Sequence, residues 1–232
     1  MTPIDIMKNV ALVTDGPAFD ALGLVHRVRI PQGEAGERFP TLVMVHGFQG
    51  NEDVTWVFAR TASPRWLIVS PRAPLESEGG GYSWNSFNDG KTDTDSLWQA
   101  RATLTHFIEQ LADVYPVDRT KMVLLGFSQG AGMCYTVAAS QPQPPLIGLV
   151  ALGGYIPGPI KLPPLHGLPI FMFHGTKDET IPVSMARKNH QQLVAAGADV
   201  SYREDEVGHK VSAGGMRDLT AWLAQRLADK RV

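Results

Sequence analysis

A serine with glycines two places to either side stands at Gly126-Phe127-Ser128-Gln129-Gly130, directly after the apolar run Met122-Val123-Leu124-Leu125. The spacing has a mechanical meaning. A strand that turns at once into a helix holds the serine in a strained backbone conformation, and glycines on both sides leave room for the chain. The hydroxyl then stands clear of the sheet edge, and the start of the helix adds positive potential for a developing oxyanion. A serine hydroxyl is a weak nucleophile on its own, so Ser128 needs a base within hydrogen-bond reach and an acid to orient that base.

When a serine in such a turn is used this way, the chain order is serine, acid, histidine. His166, His174, His190 and His209 follow Ser128. His166 lies among prolines too early for the order to hold, and His190 sits in a helical segment beside amides, where a solvated face is the simpler reading. His209 follows Val207-Gly208 in a loop after the strand candidate at 200–203 and precedes the last helix, so it is the expected base. Asp178 follows the strand at 170–173 through His174-Gly175-Thr176-Lys177 and is the expected acid. Glu179, Asp199, Asp205 and Glu206 compete with it, but Asp178 alone falls in a turn straight after a buried strand. The oxyanion requires two backbone N–H groups, one from the residue after the nucleophile and one from the glycine-bearing loop that ends the first strong strand. Gln129 and Phe48 are the candidates. His46 and His174, each before a glycine at a strand end, read as hydrogen-bonding braces for their loops. No spacing among the seven histidines and the single Cys134 resembles a metal site. Neither a metal nor an organic cofactor is expected.

These residues need a scaffold. Near-continuous apolar runs at 41–45, 66–69, 122–125, 147–152 and 169–173 suit strands covered on both faces of a parallel sheet. Between them, 95–112 has helical periodicity, with Leu97, Leu104, Ile108 and Leu111 on one side, and further helices fit 128–139, 182–196 and 212–227. The alternation predicts an α/β class, a mostly parallel doubly wound sheet with helices on both faces. At the N-terminus, strand candidates at 10–14 and 22–30 flank the turn-prone Asp15-Gly16-Pro17, which predicts an antiparallel hairpin at the sheet edge.

The chain has 232 residues, 44% hydrophobic and 19% charged, enough for one α/β domain spanning 1–232. A formal net charge of -2 with mixed signs makes neither nucleic acid nor an anionic membrane an expected partner. One cysteine excludes an intrachain disulfide, and the first ten residues lack a secretory pattern, so a cytoplasmic location is expected. No membrane span is expected either.

Taken as a set, His46-Gly47, Gly126-Phe127-Ser128-Gln129-Gly130, His174-Gly175-Thr176-Lys177-Asp178 and Gly208-His209 resemble the phospholipase/carboxylesterase family, which includes acyl-protein thioesterases. The approach Pro116-Val117-Asp118 and the segment Ile181-Pro182-Val183 look similar too. The resemblance implies the α/β-hydrolase fold and a serine carboxylesterase that hydrolyses short- to medium-chain esters through an acyl-enzyme. A thioesterase or lysophospholipase is the alternative, and a noncatalytic binding protein of the same fold is the reading from another class. A small-molecule ester is the expected partner, and a homodimer is compatible with the sequence.

The connection between Ser70 and Asp95 carries glycines at 79–81 and the aromatics Tyr82, Trp84 and Phe87. Long loops in compact domains are commonly functional. The expectation is that Trp84 and Phe87, with Trp56 from the loop after Phe48, wall an acyl pocket while the glycines let that wall move.

Overall fold

The computed structural model describes residues 9–140 and 145–228. Eight strands form one sheet: β1 (Ala11–Val13), β2 (His26–Arg29), β3 (Phe39–Val45), β4 (Leu67–Pro71), β5 (Val117–Phe127), β6 (Leu146–Leu152), β7 (Pro169–Gly175) and β8 (Asp199–Asp205). Their spatial order is β1-β2-β4-β3-β5-β6-β7-β8. The first two pairings, β1 with β2 and β2 with β4, are antiparallel, and every later one is parallel.

The unbroken apolar runs follow from this burial. Val43, Val45, Leu124, Leu149, Ala151, Ile170 and Met172 point to one face, where they pack with α2 (Thr94–Val114), α3 (Gln129–Ala138) and Leu193 of α4 (Val183–Ala195). Their neighbours Leu42, Met44, Val123, Leu125, Val150, Leu152, Phe171 and Phe173 point to the other. There they meet the 3-10 helix Val54–Thr61 and α5 (Ala213–Ala228), which contribute Trp56, Phe58, Leu219, Trp222 and Leu223. Side chains alternate along a strand, so a strand buried on both faces is apolar over a nearly continuous run. Among the described residues, no helix is long and apolar enough to cross a membrane.

The N-terminal edge is antiparallel as expected, but the connection is not a tight hairpin. A short helix, α1 (Gly16–Leu22), joins β1 to β2. Pro17 lies in its first turn, where a fixed φ suits a helix start and the missing N–H costs nothing. Gly23 closes it in the left-handed region at φ 73, donating to the Phe19 carbonyl at 2.7 Å. Leu22 is buried against α2, so residues assigned to the start of the second strand become helix, and that strand begins at His26.

The connection from β4 to α2 is also more ordered than a plain loop. Leu75–Glu76 pairs with Tyr82–Ser83, and Phe87–Asn88 pairs with Lys91–Thr92. The expected mobile glycines instead make a tight left-handed turn, and a Cβ at Gly81 would run into the Gln49 backbone.

Candidate active site

Ser128 sits between β5 and α3 with φ 55 and ψ -121, a conformation that costs a residue with a Cβ on the order of 1–3 kcal/mol. The surroundings enforce it. The Ser128 amide donates to Leu152 of β6 at 2.9 Å, and a Cβ at Gly126 would overlap the Gly130 carbonyl. A Cβ at Gly130 would overlap the carbonyls of Val45 and His46, because α3 lies directly on the end of β3. Those clashes explain the two glycines. Gly130→Ala should therefore cost roughly 3 kcal/mol or more, read as a shift in the urea midpoint; a cost under about 0.5 kcal/mol, the range of an ordinary surface substitution, would refute the packing account. Ser128 also occupies the N-cap position of α3, yet its hydroxyl makes no capping bond.

His209 and Asp178 are brought together by their loops. Thr176 donates to the Asp205 carbonyl at 2.8 Å and Lys177 to that of Val207 at 3.0 Å, so the acid loop and the histidine loop are laced along the sheet edge. His209 Nδ1 and Asp178 Oδ2 are 2.7 Å apart. Asp178 Oδ1 accepts the amides of Thr180 and Ile181, each at 2.9 Å. Burial is the largest single influence on this carboxyl and acts to raise its pKa, but the Ile181 amide, the bond and charge of His209 and the Thr180 amide together hold it below the ordinary aspartate value. The resulting stabilisation is present above the pKa of an unfolded aspartate and is lost as the pH falls through the lowered folded value. Two of the competing acids are engaged elsewhere: Asp205 with Arg203 and Ser212, Glu206 with Lys177. The Phe127 ring packs against His209 with centroids 4.9 Å apart, and Ser128 and His209 line one cleft.

The two expected oxyanion donors flank that serine. Gln129 opens α3, where its N–H has no intrahelical acceptor, and among the described residues neither the Gln129 nor the Phe48 amide donates to a backbone or side-chain acceptor. The loop bearing Phe48 is held by His46, which is buried. His46 Nδ1 lies 2.7 Å from the Gly47 carbonyl, and Nε2 accepts the Ala73 amide at 2.9 Å, which fixes a neutral ring protonated on Nδ1. Burial pushes its pKa down to about 4. The unfolded chain takes up this proton near 6.5, the ordinary histidine value, and the folded chain only near 4. Between those values the unfolded state binds more protons, so stability falls with falling pH, by about 3 kcal/mol across the window. Urea titrations at pH 7 and pH 4.5 should show this loss shrinking in His46→Gln; an equally steep loss in the variant would remove His46 as its cause. His174 Nε2 bonds the Ile181 carbonyl at 2.8 Å, bracing the acid loop.

The expected aromatic wall is only partly present. Phe87 is 40% exposed and Phe48 49% exposed, and their rings meet edge to face at 5.8 Å beside Ser128. Trp56 and Trp84 do not reach the surface of this wall. Trp56 is 1% exposed on the α5 face of the sheet, donating to Ser70 Oγ at 2.7 Å. Trp84 is fully buried, and its Nε1 donates to the His46 carbonyl at 2.9 Å. An indole whose N–H finds an internal acceptor can be buried whole, and both do so.

Several contributors escaped sequence reasoning. The Gln129 side chain accepts the Trp84 amide at 3.0 Å and donates to the Asn85 carbonyl at 2.9 Å, tying the elbow to the aromatic loop. Glu52 is buried in a two-pronged pair with Arg72, both contacts 2.6 Å, under the loop that carries Phe48. Tyr155, Ile181 and Met185 line the cleft beside Phe87. Of these, Ile181 alone had a signal, its place just after the acid.

The mostly parallel sheet with an antiparallel start, the strained serine turn at its carboxyl edge and the acid–histidine pair define an α/β-hydrolase fold. The sequence matches the family described as Phospholipase/Carboxylesterase over residues 29–227, and the chain belongs to that family of hydrolases. Acyl-protein thioesterase 1 of Eremothecium gossypii is 30% identical over 181 residues, covering 72% of each chain. A carboxylesterase structure from Mesorhizobium loti superposes with a TM-score of 0.80 at 22% identity, covering 93% of this chain and 99% of that one. The Bacillus cereus carboxylesterase gives 0.79 at 21% identity, covering 90% and 97%. At these identities the two solved structures bear on the fold alone.

Proposed function

We propose that this protein is a cytoplasmic serine carboxylesterase, one domain acting on small-molecule esters of short to medium acyl chain through an acyl-enzyme. The observation that carries the reading is Ser128: a strained residue at a helix N-terminus with its hydroxyl unused for capping, lining one cleft with a histidine already bonded to a buried, ionised aspartate. Ser128 Oγ attacks the acyl carbon while its proton passes to His209 Nε2. The negative charge that develops on the carbonyl oxygen is met by the N–H groups of Phe48 and Gln129. When the bond to the leaving group breaks, His209 returns the proton to the departing atom. Water then attacks the acyl-enzyme, gives a proton to His209, and releases the acid as Oγ takes that proton back. Asp178 holds the ring in the tautomer with Nδ1 protonated, and the contact between Ser128 and His209 tightens as substrate fills the cleft.

The test is labelling with a fluorophosphonate probe, with the adduct expected on Ser128, followed by p-nitrophenyl esters of graded length. Phe87→Ala should raise KM for hexanoyl esters several-fold more than for acetyl esters, since each contacted methylene contributes about 0.8 kcal/mol. Equal effects at every length would place the acyl contacts elsewhere, and absence of labelling would remove the nucleophile. The similarity to an acyl-protein thioesterase favours thioester hydrolysis at the same site as a second reading. Matched oxygen esters and thioesters, compared by kcat/KM, separate the two.

A further inference from the structure

Two clefts meet at Ser128 and Phe48, and they differ in chemistry. One, of about 590 Å³, is lined by His209 together with Val54, Val57 and Met216, and carries the cations Arg60 and Lys210 with no carboxylate in its lining. The other, of about 330 Å³, is lined by Phe87, Tyr155, Ile181 and Met185 and has no charged residue at all. The Tyr155 hydroxyl is bonded to Thr92, which leaves this second cleft its ring. Among the described residues, neither Arg60 nor Lys210 enters an ion pair with a protein carboxylate, whereas Arg27, Arg72, Arg187 and Arg203 all do.

Resting on the hydrolase reading above, we infer that the small uncharged cleft takes the acyl chain and the larger cleft takes an anionic leaving group, so that the substrate class is a short apolar acyl ester or thioester of an alcohol or thiol bearing a carboxylate or phosphate. The assignment of sides follows from proton bookkeeping. His209 must return the Ser128 proton to the departing oxygen or sulfur as the bond to the acyl carbon breaks, so that atom leaves on the side where His209 stands. Among these two clefts, His209 lines only the larger. The acyl chain, fixed at the same carbon, extends to the other side. There an ionised group would be stripped of water against Phe87, Ile181 and Met185 without a partner. On the His209 side, Arg60 and Lys210 meet an anion that no protein carboxylate competes for, and charge complementarity of this kind selects among substrates.

The experiment compares three aryl esters in wild type and in the Arg60→Gln/Lys210→Gln double variant: butyryl 3-hydroxybenzoate, the butyryl ester of methyl 3-hydroxybenzoate, and the monosuccinyl ester of methyl 3-hydroxybenzoate with its carboxylate on the acyl side. The quantity read is the ratio of kcat/KM between the first two. In wild type it should be about ten in favour of the anionic leaving group, shrink at 0.5 M salt, and fall to about one in the double variant. The succinate ester should be the poorest of the three. A ratio near one in wild type, a ratio indifferent to the double substitution, or a preference for the acyl-side carboxylate would each overturn the inference while leaving the hydrolase intact. Failure to turn over any ester, with no fluorophosphonate adduct on Ser128, would instead overturn the hydrolase reading on which it rests.

Discussion

Replacing Ser128 with alanine is expected to lower kcat/KM on every accepted ester by about four to six orders of magnitude. The unfolding midpoint should hardly move. Two structural facts make the loss so one-sided. The hydroxyl caps no helix end, so removing it leaves no orphaned donor. The strain at φ 55 arises from the Cβ, which alanine keeps. The protein should therefore remain folded with its strained elbow and the two proposed oxyanion donors, and lack only the proposed attacking atom. Urea unfolding and ester turnover on the same preparation check both halves. Residual activity within tenfold of wild type would show that another group attacks.

Asp178→Asn should lower kcat by about three to four orders of magnitude with little change in KM. Asn keeps one carbonyl oxygen, and that oxygen can go on accepting the amides of Thr180 and Ile181, which fixes how the side chain must lie. The NH2 group then faces His209 Nδ1 where a carboxylate oxygen stood. A donor there turns Nδ1 into an acceptor and moves the ring proton to Nε2, so the nitrogen needed to accept the Ser128 proton is already occupied. The electrostatic support for the imidazolium formed in the transition state disappears with the charge. If Asp205→Asn or Glu179→Gln produced a loss of this size and Asp178→Asn did not, the acid would be misassigned.

The contrast between Asp178 and Trp84 explains what could be read from the sequence. The strained elbow at Ser128 and the pairing of Asp178 with His209 were legible as candidates because each residue occupies a place that topology imposes, the loop after a particular strand, and because glycines mark the close approaches around them. The strands were legible because burial on both faces leaves long apolar runs, as at 42–45 of β3, 146–152 of β6 and 169–173 of β7. Trp84 and Trp56 show the opposite case. An indole in a loop looks the same in sequence whether it lines a cleft or fills a core, and the choice depended on acceptors, the His46 carbonyl and Ser70 Oγ, that lie far away along the chain. Asp15-Gly16-Pro17 failed for a related reason. The same residues open a turn or a helix, and the burial of Leu22 against α2 decided between them. Tyr155, Ile181 and Met185 converge from separate segments, so no local pattern announces their meeting.

Trp84 has a consequence for how this scaffold can diversify. Its indole N–H is fixed to the residue two before Phe48, and its backbone N–H to the side chain of Gln129, so a single residue joins the two stretches that carry the proposed oxyanion donors. Beyond it, the hairpin of Phe87–Asn88 and Lys91–Thr92 makes its ladder hydrogen bonds within itself and carries Phe87 to the cleft. The connection is thus split into an anchor that keeps the spacing of the reaction machinery and an arm that can change length or composition without altering that spacing. Insertions, deletions and aromatic exchanges in residues 86–92 should retune which esters are accepted, whereas the same changes one or two positions earlier should disable chemistry for all of them. The boundary between inheritable mechanism and adjustable selectivity runs through the peptide bonds between Trp84 and Ser86.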